Sequence, residues 1–156
     1  MNLKLENLNE DHARQICSWK YEDRYSVYNF PEWDIIVKQK WGITIESKRQ
    51  NEFVAVTNEF DVLCGYIRFI SNNDCIIIGL GLKPTLCGCG FGNNFMKLLK
   101  RECRKRYNNK KISLEVRSFN KRAIQCYMNA GFKTVGIANK ETLIGDDEFI
   151  KMEFSY

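Results

Sequence analysis

The stretch Leu82-Lys83-Pro84-Thr85-Leu86-Cys87-Gly88-Cys89-Gly90-Phe91-Gly92 joins a continuous apolar run to a helical pattern. Before it, Cys75 to Leu82 is apolar or glycine throughout, which predicts a strand buried on both faces. After it the period changes. Phe91, Phe95, Leu98, Leu99 and Cys103 fall on one face of a long helix, and Lys97, Lys100, Arg101, Arg104 and Lys105 on the other. Three glycines at alternating positions, Gly88, Gly90 and Gly92, let the backbone turn sharply and leave its N–H groups uncovered. With the positive end of a helix dipole behind them, those groups suit an anion of the pyrophosphate kind. No Gly-Lys-Ser/Thr follows, so the loop is not of the Walker type. Too few strand–helix units surround it for a dinucleotide fold.

Reading towards the C-terminus, Ile112, Leu114 and Val116 alternate with Ser113, Glu115 and Arg117, a strand. A helix begins after an Asn120 N-cap and stops at Gly131, a natural C′ residue. Phe132 to Ile137 and Glu148 to Phe154 read as closing strands. Towards the N-terminus, Leu63 to Ile70 and Glu52 to Thr57 read as a hairpin turning at Asn58-Glu59-Phe60-Asp61. A helix around Trp33–Lys40 precedes them. Asn2 to Leu5 predicts a first strand, and Asn9, with Leu8 before it, starts a helix through Ala13, Ile16 and Cys17. Between these lies an aromatic stretch of poor periodicity: Trp19, Tyr21, Tyr25, Tyr28, Phe30 and Trp33.

The composition narrows the class. The chain has 156 residues, 44% hydrophobic and 28% charged, as expected of a single globular domain. No apolar stretch approaches a bilayer span, and the N-terminus lacks the apolar core of a signal peptide, so a cytoplasmic protein without membrane attachment is expected. Seven cysteines, an odd number, argue against a disulfide framework. Cys17, Cys64, Cys75, Cys103 and Cys126 sit in apolar patterns as small hydrophobes. The pair Cys87 and Cys89 has no second Cys or His pair to complete a zinc site, so no metal is expected. His12, the one histidine, reads as a surface residue of the first helix. Residues 1–95 hold 10 Lys/Arg and 12 Asp/Glu, net −2; residues 96–156 hold 14 and 7, net +7, which sum to +5. The basic half suits an anionic partner. Its cations lack the interleaved aromatics of a nucleic-acid groove, so nucleic acid is not the expected partner.

The loop and the segment from Leu114 to Phe132, taken together, resemble the GCN5-related N-acetyltransferase (GNAT) superfamily. The matching positions are Leu82, Pro84, Gly90, Gly92, Asn120, Ala123, Ile124, Tyr127, Gly131 and Phe132, over roughly Cys75 to Ile137. The context Leu114-Glu115-Val116-Arg117 before Asn120 is most similar to the ribosomal-protein N-terminal acetyltransferases. The resemblance implies an α+β fold. Its central sheet is mixed but mostly antiparallel, with about seven strands flanked by about four helices, splayed between strands 4 and 5. It implies one domain over 1–156, with acceptor-side elements in 1–60 and the cofactor core in 75–137, acting as a monomer or homodimer.

The implied activity is direct transfer of acetyl from acetyl-CoA to a primary amine of a small molecule or a protein N-terminus. The cofactor's pyrophosphate would meet Cys87, Gly88, Cys89, Gly90, Phe91 and Gly92, and its pantetheine arm would lie along Leu80 and Leu82. Asn120 would contact the pantetheine, and Arg122, with Lys121, would reach phosphate oxygens. Tyr127 would protonate the departing thiolate; its plainer role is a core aromatic beside Ile124 and Met128. A phenol with pKa near ~10 gives a proton to a thiolate of similar pKa at little cost. Glu115, twelve residues before Tyr127, corresponds to the carboxylate assigned as base. Its plainer role is an ion pair with Arg117 or Arg68, or plain solvation, in which case a water chain would serve as base. The aromatic stretch, with Glu22 and Asp23, is a candidate pocket for a cationic amine. Two departures stand out: Cys87 where the family usually has Arg or Gln, and no carboxylate on strand 4. They leave a non-catalytic acyl-CoA-binding module as the alternative.

Overall fold

A computed structural model describes residues 2–156. The elements run β1 (Lys4–Asn7), α1 (Glu10–Ser18), α2 (Trp33–Lys38), α3 (Glu46–Glu52), β2 (Phe53–Thr57), β3 (Leu63–Ser71), β4 (Cys75–Leu82), α4 (Gly92–Tyr107), β5 (Lys111–Arg117), α5 (Lys121–Asn129), β6 (Lys133–Thr142) and β7 (Gly145–Phe154). Short 3-10 helices occupy Asp23–Tyr28, Gly42–Thr44 and Pro84–Leu86. The strands make one mixed sheet in the order β1-β2-β3-β4-β5-β7-β6, with β4 and β5 parallel. That is the expected α+β architecture, with five α-helices rather than about four. The parallel register runs from Cys75↔Lys111 to Ile77↔Ser113.

By its contacts the chain divides into two compact units, Met1–Arg68 with Leu80–Cys87, and Phe69–Gly79 with Gly88–Tyr156. In the first, Leu8, Ala13, Ile16, Cys17, Ile36, Ile43, Phe53, Ala55 and Leu63 build the core. Trp19 is buried there, and Tyr21, Phe30, Trp33, Trp41 and Tyr66 pack against it. Much of the aromatic stretch is therefore packing material. The first strand lies two residues later than expected. His12 is buried, not on the surface. Asn9 Oδ1 accepts from the His12 N–H at 2.8 Å and the Asn9 N–H donates to His12 Nδ1 at 3.3 Å, so the imidazole closes the cap of α1. Helix α3 contains no apolar residue and so gave no periodic signal. Arg49 anchors it from inside, donating to the Ile43 carbonyl at 3.1 Å.

In the second unit, Phe95, Met96, Leu98, Leu99 and Cys103 of α4 are buried, as are Ile112, Leu114, Val116, Phe132 and Met152. Strand β4 departs from expectation here. Ile76 and Ile78 are buried but Ile77 is 42% exposed, so one face is covered and the other is not. The closing strands are longer than their apolar signal, because β6 and β7 extend as a hairpin to Leu143 and Ile144, both exposed at its tip.

Candidate active site

The three loop glycines are there for different reasons. Gly88 and Gly90 have φ of 75° and 84°, the left-handed region that suits glycine. A Cβ at Gly90 would meet nothing within 4 Å, so that backbone is open. Gly92 is instead a packing position: a Cβ there would come within 2.7 Å of Cys126 Sγ. One turn earlier on α5, Arg122 brings its guanidinium to 3.6 Å from where a Gly88 Cβ would stand. Helix α4 starts with no side-chain cap and no acidic residue in its first turn, and residues 84–96 carry no charged side chain. The first turn of α5 also lacks an acid and holds Lys121 and Arg122. Cations at the positive end of a helix are unfavourable unless an anion is at hand. The second unit's part of the loop, Gly88–Phe91, thus sets uncharged backbone with two left-handed glycines beside the Arg122 guanidinium.

Leu80 and Leu82 are half-buried at the end of β4. The Leu82 carbonyl accepts from the Tyr21 hydroxyl at 2.7 Å, and the Cys87 thiol lies 3.7 Å from the same oxygen. Beside it Gly81 is required, since a Cβ would fall 2.5 Å from Tyr66 Cε1. Desolvation pushes the Tyr66 phenol up to about 12 and raises Tyr21 as well. Neither Tyr66 nor the Tyr21 contact was legible in advance; glycine at Gly81, inside an apolar strand, was the one available sign of a close approach. Glu22 and Asp23 are exposed.

Asn120 is buried and caps α5, its Oδ1 accepting from the Ala123 N–H at 3.1 Å. Tyr127 is half-buried on the same helix, its ring centroid 6.1 Å from that of Phe132. Glu115 stands exposed on β5 and is ion-paired with Lys140 of β6. Neither expected partner holds it, because Arg117 is paired with Asp147 at 2.6 Å and Arg68 with Glu52 at 2.9 Å. The apolar cysteines behave as hydrophobes. Desolvation raises Cys17 to about 11 and Cys103 to about 12, and none of the seven cysteines is in a disulfide.

A strand-to-helix glycine loop on a seven-stranded mixed sheet with one parallel strand pair is the layout of the acyl-CoA-using transferase fold that the sequence resemblance implied. Residues 13–132 match the model of the acetyltransferase (GNAT) family, and the chain belongs to that family. It is an N-acetyltransferase that uses acetyl-CoA. No curated protein matches it. Among solved structures it is similar to a spermidine N-acetyltransferase chimera of Vibrio cholerae and hSSAT, with a TM-score of 0.80, 20% identity, and coverage of 99% of this chain and 96% of that one. It is also similar to the Vibrio cholerae spermidine N-acetyltransferase in complex with CoA and spermine, with a TM-score of 0.73, 20% identity and coverage of 98% and 95%. The ribosomal-protein-S18-alanine N-acetyltransferase of Escherichia coli aligns with a TM-score of 0.69, 18% identity and coverage of 99% and 94%. Identities this low speak for the fold alone. Among the described residues no helix is long and apolar enough to cross a membrane.

Proposed function

We propose that this chain, acting as one domain in the cytoplasm, acetylates the primary amine of a small molecule or a protein N-terminus. The observation that carries the reading is the uncharged loop with its two left-handed glycines, Gly88 and Gly90, under the Arg122 guanidinium. Acetyl-CoA supplies an acetyl group on an activated thioester. Backbone N–H groups of Gly88 to Gly92 hold its pyrophosphate, Arg122 adds a charge-assisted contact, and Asn120 lines the pantetheine. With the contact made by backbone and by Arg122, cysteine at position 87 costs the loop little. Glu115 takes the proton from the acceptor ammonium, and Tyr127 gives one to the leaving sulfur. An α-amine, with pKa near ~8, asks less of the base than a lysine near ~10.4. In the first unit, Tyr25, Tyr28, Glu22 and Asp23 have the chemistry to attract a cationic amine.

Thermal melting with millimolar acetyl-CoA, against a free adenine nucleotide, tests the loop. A ligand at about 100 times its dissociation constant adds roughly 2.7 kcal/mol and lifts the midpoint by several degrees. A shift with acetyl-CoA and little with the nucleotide is expected. An unmoved midpoint overturns the assignment of residues 88–92.

A further inference from the structure

The side chains of β5, β7 and β6 pair out of their direct register. Glu115 stands opposite Lys151, Arg117 opposite Phe149, and Lys140 opposite Asp147. Directly opposed and alternate residues share a face, so Glu115, Arg117, Phe149, Asp147 and Lys140 project on one side of the sheet. The ordinary cross-strand partner of Lys140 is Asp147, yet Arg117 holds that carboxylate. Lys140 reaches one strand further and pairs with Glu115. Phe149 lies beneath both cations, 5.0 Å from the Arg117 guanidinium and 5.4 Å from the Lys140 ammonium. Arg117 and Phe149 together steer the lysine to the carboxylate read above as the catalytic base.

We propose that Lys140 is a built-in acceptor, acetylated by the enzyme itself, and that its acetylation releases Glu115. This rests on the reading of Glu115 as base. Both partners are partly exposed, with side chains 49% and 34% accessible, so the pair is weakly held and the amine is free to leave it. Glu115 takes a proton from the Lys140 ammonium. The Nζ lone pair forms a C–N bond to the acetyl carbonyl carbon, the C–S bond breaks, and CoA leaves as the thiol with a proton from Tyr127, which regains one from the acylated nitrogen. The products are an acetamide, CoA and one released proton. An acetamide carries no charge and makes no ion pair, so Glu115 then faces an external amine.

The test is peptide mass mapping of the purified protein incubated with acetyl-CoA and no added amine. Lys140 is expected to be acetylated ahead of Lys97 and Lys105, which are exposed on α4. Its rate constant should not depend on protein concentration, and should fall at least about tenfold in Glu115→Gln. Trace labelling of the cofactor-free protein with acetic anhydride should erase that lead, because no bound thioester then favours Lys140. Lys140 leading in both reactions, or trailing in both, overturns the inference. An undiminished rate in Glu115→Gln overturns both the inference and the base. A melting midpoint raised by acetyl-CoA without modified Lys140 overturns the inference alone; an unmoved midpoint overturns the cofactor site with it.

Discussion

The segments 114–132 and 19–45 both stand out in the sequence, and they hold their shapes by different means. In the first, each bend is set within a few residues. Asn120 caps α5 through Ala123, Gly131 turns the chain out of the helix at φ 97°, and the Phe132 N–H returns to the Tyr127 carbonyl at 3.0 Å. In the second, the partners are far along the chain. Tyr21 ends on Leu82, Arg14 covers the Trp33 ring at 4.8 Å, and Arg68 fills the space above Gly42, where a Cβ would come within 2.6 Å of it. Geometry set by local hydrogen bonds leaves a spacing that can be read. Geometry set by remote packing leaves only composition.

The largest effect should come from the locally built segment. Tyr127→Phe keeps the ring that packs on Phe132 and removes the proton donor. Turnover should fall by about 10²–10⁴-fold while acetyl-CoA affinity is retained. Equal losses of turnover and affinity, or no loss of turnover, would remove Tyr127 from the chemistry.

Two glycines sharpen the contrast next. Gly81→Ala drives a methyl into the Tyr66 ring, and overpacking of that kind costs about 1–3 kcal/mol. Gly90→Ala meets nothing, and its cost is confined to the left-handed backbone, roughly 1 kcal/mol. Gly81→Ala should therefore melt lower, whereas Gly90→Ala should lose acetyl-CoA affinity out of proportion to its stability. The reverse order of midpoints would mean that remote packing on Tyr66 is not what holds β4. Smaller still, Asn120→Ala removes one cap and should cost about 1 kcal/mol, with Asn120→Asp restoring most of it. Failure of the aspartate to restore stability would show that Asn120 matters for something other than its cap.

The same contrast explains what the sequence could reveal. From Cys75 to Ile137, period changes, glycines and a cap residue mark element after element, so the loop, α4, β5 and α5 were legible. His12 was not, because an imidazole on a helix next to Glu10 and Asp11 looks solvated until its Nδ1 is seen accepting the Asn9 N–H. Ile77 sits in an apolar run that gives no alternation to show which face is bare. The partner of Glu115 was out of reach too. Pairing it with Lys140 needs the β5–β7–β6 order, a hairpin register, and a bulge between Thr134 and Gly136 that resets which β6 residues face Glu115. Anion cradles follow from chain-local conformation, whereas acceptor sites gather side chains across strands, so the cofactor was readable and the acceptor was not.

The last effect is absent at neutral pH and appears only in alkali, and it reaches both kinds of region. Desolvation raises Cys17 from 9.0 to about 11 and Tyr66 from 10.0 to about 12, in the unit that holds the aromatic stretch. It raises Cys103 from 9.0 to about 12 beneath α4. Each group is protonated in both folded and unfolded chains below its ordinary value, so its burial contributes in full there. Above about pH 9 the unfolded thiols ionise while the folded ones hold their protons, and stability falls as pH rises towards the folded values. The melting midpoint should thus be level from pH 7 to about 8.5 and drop by several degrees by about pH 10.5. Cys103→Ala should flatten that limb even though it lowers the midpoint at pH 7, because it removes the titrating group as well as packing volume. Cys17→Ala should do so less, its shift being smaller. A midpoint that stays level to pH 10.5 in the parent chain would show that these thiols are solvated, and that the core beneath α4 is looser than its buried residues imply.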